Sequence, residues 1–310
     1  MPTMARTGVD RFVNVAGYQL HYVDVGHGQP VILIPGSWST YRVWDRLLPF
    51  LSDSYRLLAV DYVGTGESDK PTSGFRYTVE EQADLIAEMI KKLNLGKVHV
   101  VGGSYGGAIV FNLAARYPAL VNKVVSIEGG VVVPQKLPSN PLEHLFKYPI
   151  LGDLMILLVK TGLLNKVVLR LVAGKWYPHM TREEKKETLE QLFWNAKSAT
   201  PVAWYWIGVS SRTSKNFVEE AKLIKAPVLY LYGTETDFTE LIRVNTQFFE
   251  TYLPTVRIVG LEGGIHDIAW QKPKEIAALI LDFFEEHAGN GERKMRRGRR
   301  VMAPRGRQTG

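Results

Sequence analysis

The stretch Val100-Val101-Gly102-Gly103-Ser104-Tyr105-Gly106-Gly107 lies where an apolar strand pattern gives way to a helix pattern. It matches Gly-x-Ser-x-Gly, in which a serine stands on a sharp, strained turn between a strand and a helix. Such a turn needs small neighbours, and glycines at 102, 103, 106 and 107 provide them. The motif therefore predicts that Ser104 is a nucleophile at the carboxyl end of a strand.

Short apolar segments alternate with helical segments on both sides of this motif. The alternation is typical of an α/β fold with a mainly parallel sheet, and near-continuous Val, Ile and Leu indicates strands that are buried on both faces. A hairpin between Arg11 and Val25 is expected to add antiparallel strands at one edge. The predicted strands after it are Val31–Ile34, Leu57–Asp61, Val98–Val101, Val124–Ile127, Val228–Tyr232 and Val256–Val259.

This alternation stops between about Val131 and Leu223, where apolar helical segments replace it. We interpret residues 131–222 as a helical cap (lid) inserted between two parts of a core domain, 1–130 and 223–287. Four of the seven tryptophans lie in this insertion, and they would suit an apolar substrate pocket, although packing within the cap explains each one equally well. They are Trp176, Trp194, Trp204 and Trp206.

The chain resembles the α/β-hydrolase superfamily over nearly all of residues 10–287, and in particular its serine esterase and lipase-like members with a helical cap. Besides the serine motif, Asp61-Tyr62-Val63-Gly64-Thr65-Gly66-Glu67-Ser68 is similar to a turn that shapes a loop near the active site in that family. The resemblance implies a mainly parallel, eight-stranded sheet flanked by helices, with an inserted helical cap.

A serine hydroxyl is a poor nucleophile unless a base lies within hydrogen-bond reach. In the family the order along the chain is serine, acid, histidine, so the resemblance implies a histidine near the end of the chain. His266 follows Gly263-Gly264-Ile265, after the last predicted strand, in a segment similar to the family's histidine loop. We therefore predict that His266 is the general base.

The resemblance also places an acidic residue after the strand at 228–232, where Asp237 closes a Gly-x-x-Thr-Asp segment. We predict that Asp237 accepts a hydrogen bond from His266 and stabilises its imidazolium form. Two other carboxylates remain alternatives. Glu235 lies in the same loop, and Glu128 ends the preceding strand, where some relatives carry their acid.

Acyl transfer also needs backbone N–H donors for the oxyanion that forms on the substrate carbonyl. Tyr105, directly after the nucleophile, is expected to supply one donor. By resemblance the second comes from the loop after the strand at 31–34, where Ser37 takes the donor position. This loop reads Pro35-Gly36-Ser37-Trp38, whereas relatives commonly have histidine before the glycine.

Several other chemistries are disfavoured by specific residues. The chain has no cysteine, which excludes disulfides and thiolate sites. A serine at the nucleophile position argues against the dehalogenases and epoxide hydrolases that share the fold and use aspartate. No dinucleotide, Walker, zinc-protease or EF-hand pattern is present, so we expect neither a metal nor a cofactor.

These observations predict a carboxylic ester hydrolase that forms an acyl-enzyme through Ser104, with a small-molecule ester carrying an apolar acyl group as substrate. The apolar helices of the insertion could also contact a lipid interface, although core packing explains the same residues. Two alternatives stay open: a peptidase of the iminopeptidase kind, and a small-molecule receptor with weak turnover, because function depends on the site and not on the fold.

The net charge of +7 comes entirely from one short segment at the end of the sequence. Residues 288–310 contain eight Lys or Arg and one Glu, so the rest of the chain is neutral. Their composition predicts a disordered basic tail, and a solvated extension explains it without a nucleic-acid partner. The first residues lack the apolar run of a secretory signal, so we expect a soluble, cytoplasmic protein.

Overall fold

A computed structural model of the chain describes residues 8–134, 146–163, 165–213 and 217–286. The predicted basic tail at 288–310 lies outside these ranges, and its disorder stays a prediction. Within the ranges, none of the helices combines the length and the apolar character that a membrane-spanning segment needs.

Eight strands form a single sheet in the order β1-β2-β4-β3-β5-β6-β7-β8. β2 pairs antiparallel with both β1 and β4, and all other neighbours are parallel. The predicted eight-stranded, mainly parallel sheet is therefore confirmed, including its antiparallel hairpin. The strands are β1 (Val9–Val15), β2 (Tyr18–Val25), β3 (Gln29–Ile34), β4 (Tyr55–Asp61), β5 (Val98–Gly103), β6 (Val121–Ile127), β7 (Val228–Gly233) and β8 (Val256–Leu261).

Helices cover both faces of this sheet. Short 3-10 segments lie at Tyr41–Trp44 and Gly174–His179. The α-helices are α1 (Leu48–Leu51), α2 (Val79–Lys92), α3 (Tyr105–Arg116), α4 (Pro149–Lys160), α5 (Asn165–Ala173), α6 (Arg182–Lys197), α7 (Pro201–Thr213), α8 (Val218–Ala221), α9 (Thr239–Tyr252), α10 (Ile268–Gln271) and α11 (Pro273–Glu285).

Successive residues of a strand point to opposite faces of the sheet, and β3 illustrates the result. Ile32 and Ile34 pack into an apolar layer with α2, α3 and α9, whereas Val31 and Leu33 pack into a second layer with α1 and α11. All four side chains are fully buried. Because the central strands are apolar on both faces, the sheet lies between two cores. Because these strands are parallel, their carboxyl ends lie at the same edge of the sheet.

Helix α2 begins with a side-chain cap at Thr78. The Thr78 hydroxyl accepts a hydrogen bond from the Glu81 N–H at 3.2 Å, which satisfies one free donor of the first turn. Ala83, Ile86 and Ile90 then place a buried stripe against the sheet.

The loop after β4 is organised around the buried carboxylate of Asp61. This group accepts hydrogen bonds from the Tyr41 N–H at 2.7 Å, the Glu67 N–H at 3.1 Å and His21 Nδ1 at 2.8 Å. A Cβ on Gly66, whose φ is +50°, would lie 1.8 Å from Asp61 Oδ2. Only glycine therefore fits at position 66, and the motif shapes the loop.

Helices α4 to α8 lie between β6 and β7, in the interval where the sequence predicts an inserted cap. Helix α6 joins this insertion to the core: Arg46 forms an ion pair with Glu187, and Trp270 Nε1 donates to the Thr188 hydroxyl at 3.2 Å. The division of the chain at residues 130 and 223 stays a prediction.

Candidate active site

Ser104 stands on a strained turn between β5 and α3. Its φ and ψ are 49° and −116°, a conformation that non-glycine residues rarely adopt. The glycines around it are required by close contacts, because a Cβ on Gly102 would lie 2.3 Å from the Gly106 carbonyl oxygen. A Cβ on Gly106 would lie 2.3 Å from the Ile34 carbonyl oxygen. The turn predicted from the motif is therefore formed.

His266 lies in the loop between β8 and α10 and faces the serine. Its Nε2 atom is 3.1 Å from Ser104 Oγ, within hydrogen-bond distance. On the other side of the ring, Nδ1 is 2.5 Å from Glu128 Oε2. A carboxylate can only accept, so in the neutral ring Nδ1 carries the proton and Nε2 accepts from the serine hydroxyl.

Glu128 follows β6 directly and is fully buried (0% exposed). A φ of 53° turns the backbone at this residue. Besides His266, its carboxylate accepts hydrogen bonds from the Gly233 N–H at 2.6 Å and the Thr236 hydroxyl at 2.8 Å. These neutral donors fix the position of the carboxylate without neutralising it, so its charge acts on His266.

The structure does not place Asp237, the acid predicted from the sequence, beside His266. The Asp237 side chain is 72% exposed and forms a long ion pair of 3.9 Å with Lys175. Its neighbour Phe238 packs against the His266 ring instead, with the ring centroids 4.3 Å apart. Glu235, the other alternative in this loop, is exposed. The carboxylate that holds His266 is thus supplied by Glu128 after β6 and not by the loop after β7.

The environment of His266 changes its pKa in two opposing directions. Burial lowers the pKa, whereas the hydrogen bond and the negative charge of Glu128 raise it. The net effect is a pKa above the ordinary value of 6.5. Glu128 thus stabilises the imidazolium form of His266.

The loop after β3 lies directly beside Ser104. A Cβ on Gly36 would be 3.3 Å from Ser104 Cβ, and the Tyr62 hydroxyl donates to the Gly36 carbonyl at 2.9 Å. Tyr105 is the first residue of α3, where an N–H has no acceptor within the helix. The N–H groups of Ser37 and Tyr105 remain our predicted oxyanion donors.

Trp38 connects this loop to the insertion. Its backbone has a φ of 59°, and its Nε1 donates to the Trp204 carbonyl at 2.8 Å. The Trp38 ring also packs against the rings of Trp204 and Phe146, with centroids 6.1 and 6.4 Å apart. Aromatic side chains of the insertion therefore lie over the loop that approaches Ser104, whereas Trp206 is exposed.

Sequence reasoning missed three residues that support this geometry. Thr236 holds the Glu128 carboxylate, Tyr62 holds the loop at Gly36, and Phe238 packs on His266. Of these three, only Tyr62 could have been found from the sequence, because it follows Asp61 in the loop motif. In the part of the chain that the structure describes, no group of three His, Asp or Glu side chains could hold a metal ion.

Comparisons with known proteins agree with this fold. A 2-hydroxy-6-oxo-6-(2'-aminophenyl)hexa-2,4-dienoic acid hydrolase of Metapseudomonas resinovorans is 34% identical over 157 residues, which are 49% of this chain and 52% of the relative. A cis-3-alkyl-4-alkyloxetan-2-one decarboxylase of Shewanella oneidensis is 31% identical over 150 residues, 47% of this chain and 46% of the relative. The chain thus spans about half the length of these curated relatives.

The match to solved structures extends over most of the chain. The enol-lactonase from Burkholderia xenovorans superposes with a TM-score of 0.69 over 89% of this chain and 100% of the other, at 18% identity. Identity at that level supports the fold alone. The alpha/beta hydrolase fold family model matches residues 29–273, which is most of the sequence. The chain therefore belongs to the alpha/beta hydrolase fold family, whose named relatives here are mainly hydrolases.

Proposed function

We propose that this hydrolase-family member is a carboxylic ester hydrolase in which Ser104, His266 and Glu128 form the catalytic triad. The observation that carries the proposal is the continuous hydrogen-bonded chain from Ser104 Oγ through both ring nitrogens of His266 to the buried Glu128 carboxylate. A serine activated by a neutral imidazole, which a carboxylate orients, is the arrangement that acyl transfer requires.

The reaction proceeds in two halves. Ser104 Oγ attacks the ester carbonyl while His266 Nε2 takes its proton, and the negative oxygen binds the N–H groups of Ser37 and Tyr105. The C–O bond then breaks, and His266 returns the proton to the leaving alcohol. A water molecule, deprotonated by His266, attacks the acyl-enzyme and releases the carboxylic acid and free Ser104. No cofactor takes part.

The surroundings of the triad favour an apolar acyl group. Trp38, Phe146 and Trp204 form one aromatic cluster at the loop of residues 35–38 after β3, which we call the oxyanion loop, and Phe238 covers part of the His266 ring. Burying an alkyl chain among such groups gains about 0.8 kcal/mol for each methylene. We therefore expect butyrate and longer esters to react with a higher kcat/KM than acetate.

A panel of p-nitrophenyl esters from acetate to palmitate tests the proposal. Proline p-nitroanilide and a 2-hydroxy-6-oxo-6-phenylhexa-2,4-dienoate, a vinylogous diketone related to the compound in the name of the Metapseudomonas relative, are assayed beside it. We expect ester hydrolysis in the wild type and none in Ser104→Ala, which lacks only one hydroxyl. Turnover of the anilide alone would indicate an iminopeptidase. Turnover of the diketone alone would indicate carbon–carbon bond hydrolysis, and no turnover at all would favour a receptor.

A further inference from the structure

Helix α4 exposes apolar side chains to solvent on the side that faces away from the protein core. Ile156 is buried and Gly152 packs against Pro201, so this side of the helix faces the protein. On the opposite side, Ile150 is 84% exposed, and Leu154 and Leu157 are each about half exposed. Positions 150, 154 and 157 recur at helical spacing, so they form one continuous stripe.

Two further apolar side chains that follow α4 in the chain are exposed. They are Leu163, in the following turn, and Val167, on α5. We call these five side chains the α4–α5 face. Between residues 146 and 173, four of the five charged side chains are basic, and the exception is Asp153. The basic residues are Lys147, Lys160, Lys166 and Arg170.

Burial of this apolar surface against a partner would be favourable, because the free energy gained by removing leucine and isoleucine side chains from water is proportional to their area. A second copy of the chain is an unfavourable partner for the α4–α5 face. In a two-fold contact the same patch meets a copy of itself, so the basic residues of one copy would face those of the other, and Asp153 is the one acidic residue in the same segment. An anionic lipid surface instead attracts the basic rim, while its acyl region receives the leucines.

We propose that the α4–α5 face binds anionic lipid bilayers, with Ile150, Leu154 and Leu157 entering the boundary between headgroups and acyl chains. The lysines and Arg170 reach the phosphates through their long side chains. This interaction is independent of the proposed esterase activity. It would bring the insertion, whose Trp204 contacts the oxyanion loop, close to a source of apolar molecules.

Co-sedimentation of the full chain with vesicles provides the test. We expect binding to vesicles of phosphatidylcholine and phosphatidylglycerol, and much weaker binding to phosphatidylcholine alone or in 0.5 M salt. The double variant Leu154→Glu/Leu157→Glu should lower the partition coefficient at least about tenfold, because two carboxylates oppose both insertion and charge attraction. The matched control is Leu223→Glu, an exposed leucine outside the face, which should bind as the wild type does.

Every protein in this comparison keeps residues 288–310, so any attraction through the basic tail is common to all of them. Equal binding by the wild type and the double variant would overturn the proposal and point to the tail. A wild-type dimer that the double variant converts to a monomer, with no vesicle binding by either, would also overturn it. If thermal melting shows that the double variant is unfolded, the single variant Ile150→Glu decides by the same criterion.

Discussion

At the scale of single residues, the site depends on how Glu128 reaches His266. The residue after β6 bends the chain with a φ of 53°, and Gly129 then packs so tightly that a Cβ there would lie 2.3 Å from the Ser104 carbonyl oxygen. This bend turns the Glu128 carboxylate towards the histidine. After β7, by contrast, the loop turns Asp237 outwards to Lys175. The backbone after β6 therefore places a carboxylate beside His266, and the backbone after β7 does not.

The pH dependence of catalysis follows from the raised pKa of His266. Only the neutral ring can accept the proton of Ser104, so kcat/KM should fall as pH decreases through the folded-state pKa. Because Glu128 raises that pKa above 6.5, the acidic limb of the profile should lie above pH 6.5. A pH profile of ester hydrolysis between pH 5 and 9 measures it, and a limb well below pH 6.5 would contradict the assigned pairing.

At the scale of secondary-structure elements, the sequence predicts the strands better than it predicts the loops that join them. Every predicted strand is present, since a run of about four to eight β-branched and apolar residues between turn residues favours a strand buried within a sheet. The choice among Glu128, Glu235 and Asp237 was beyond this reasoning. All three follow strands whose ends lie at the same edge, and the strand pattern carries no information about which loop turns its carboxylate inwards.

Helix α7 presents two tryptophans that differ in their surroundings, and they test the predicted acyl pocket. Trp204 contacts Trp38 and Phe146 beside the oxyanion loop, whereas Trp206 is exposed beside Tyr205. Trp204→Ala should move the chain-length optimum of p-nitrophenyl esters by a few carbons and leave acetate hydrolysis nearly unchanged. Trp206→Ala is the control and should leave the optimum in place. An optimum that moves only in Trp206→Ala would place the pocket elsewhere.

The carboxyl end of α11 depends on one buried lysine. Lys123 Nζ, on β6, donates to the carbonyl oxygens of Phe283 at 2.7 Å, Phe284 at 3.1 Å and Glu286 at 2.6 Å. A cation is favourable at this end of a helix, and its removal leaves buried carbonyls without a donor. Lys123→Met should therefore lower the free energy of unfolding by about 3 kcal/mol.

Lys92 offers the matched control, because its Nζ also donates to a backbone carbonyl, that of Asn14, at the protein surface. Lys92→Met should change the free energy of unfolding by less than about 0.5 kcal/mol. Urea titrations of both variants measure the difference. Similar losses in the two variants would mean that burial of Lys123 does not matter to its contribution.

At the scale of the whole molecule, apolar layers pack on both faces of the sheet, and one of the residues buried there is titratable. His99 is buried on β5, and its ring stacks on Phe284 with centroids 4.1 Å apart. Burial, together with the positive charge of Lys123, lowers the pKa of His99 to about 4. The folded protein therefore keeps this ring neutral at pH values where the unfolded chain is protonated.

This difference predicts a loss of stability in mild acid. Between pH 6.5 and about 4 the unfolded chain binds more protons at His99 than the folded chain does, so the free energy of unfolding falls as the pH decreases. The contribution of this residue over the window is about 3 kcal/mol. His99→Phe should lack it, which urea titrations at pH 7 and pH 4.5 can measure. An equal loss in the variant and the wild type would show that other groups cause the acid sensitivity.

The most direct test of the proposed site is the rate at which a fluorophosphonate labels Ser104, because this rate reports activation of the serine without knowledge of the natural substrate. Glu128→Gln should reduce the rate constant by about a thousandfold or more, since the amide can neither stabilise the imidazolium nor hold the productive tautomer. Asp237→Asn should stay within about threefold of the wild type. A crippled Asp237→Asn beside a nearly normal Glu128→Gln, with both proteins folded, would contradict the account.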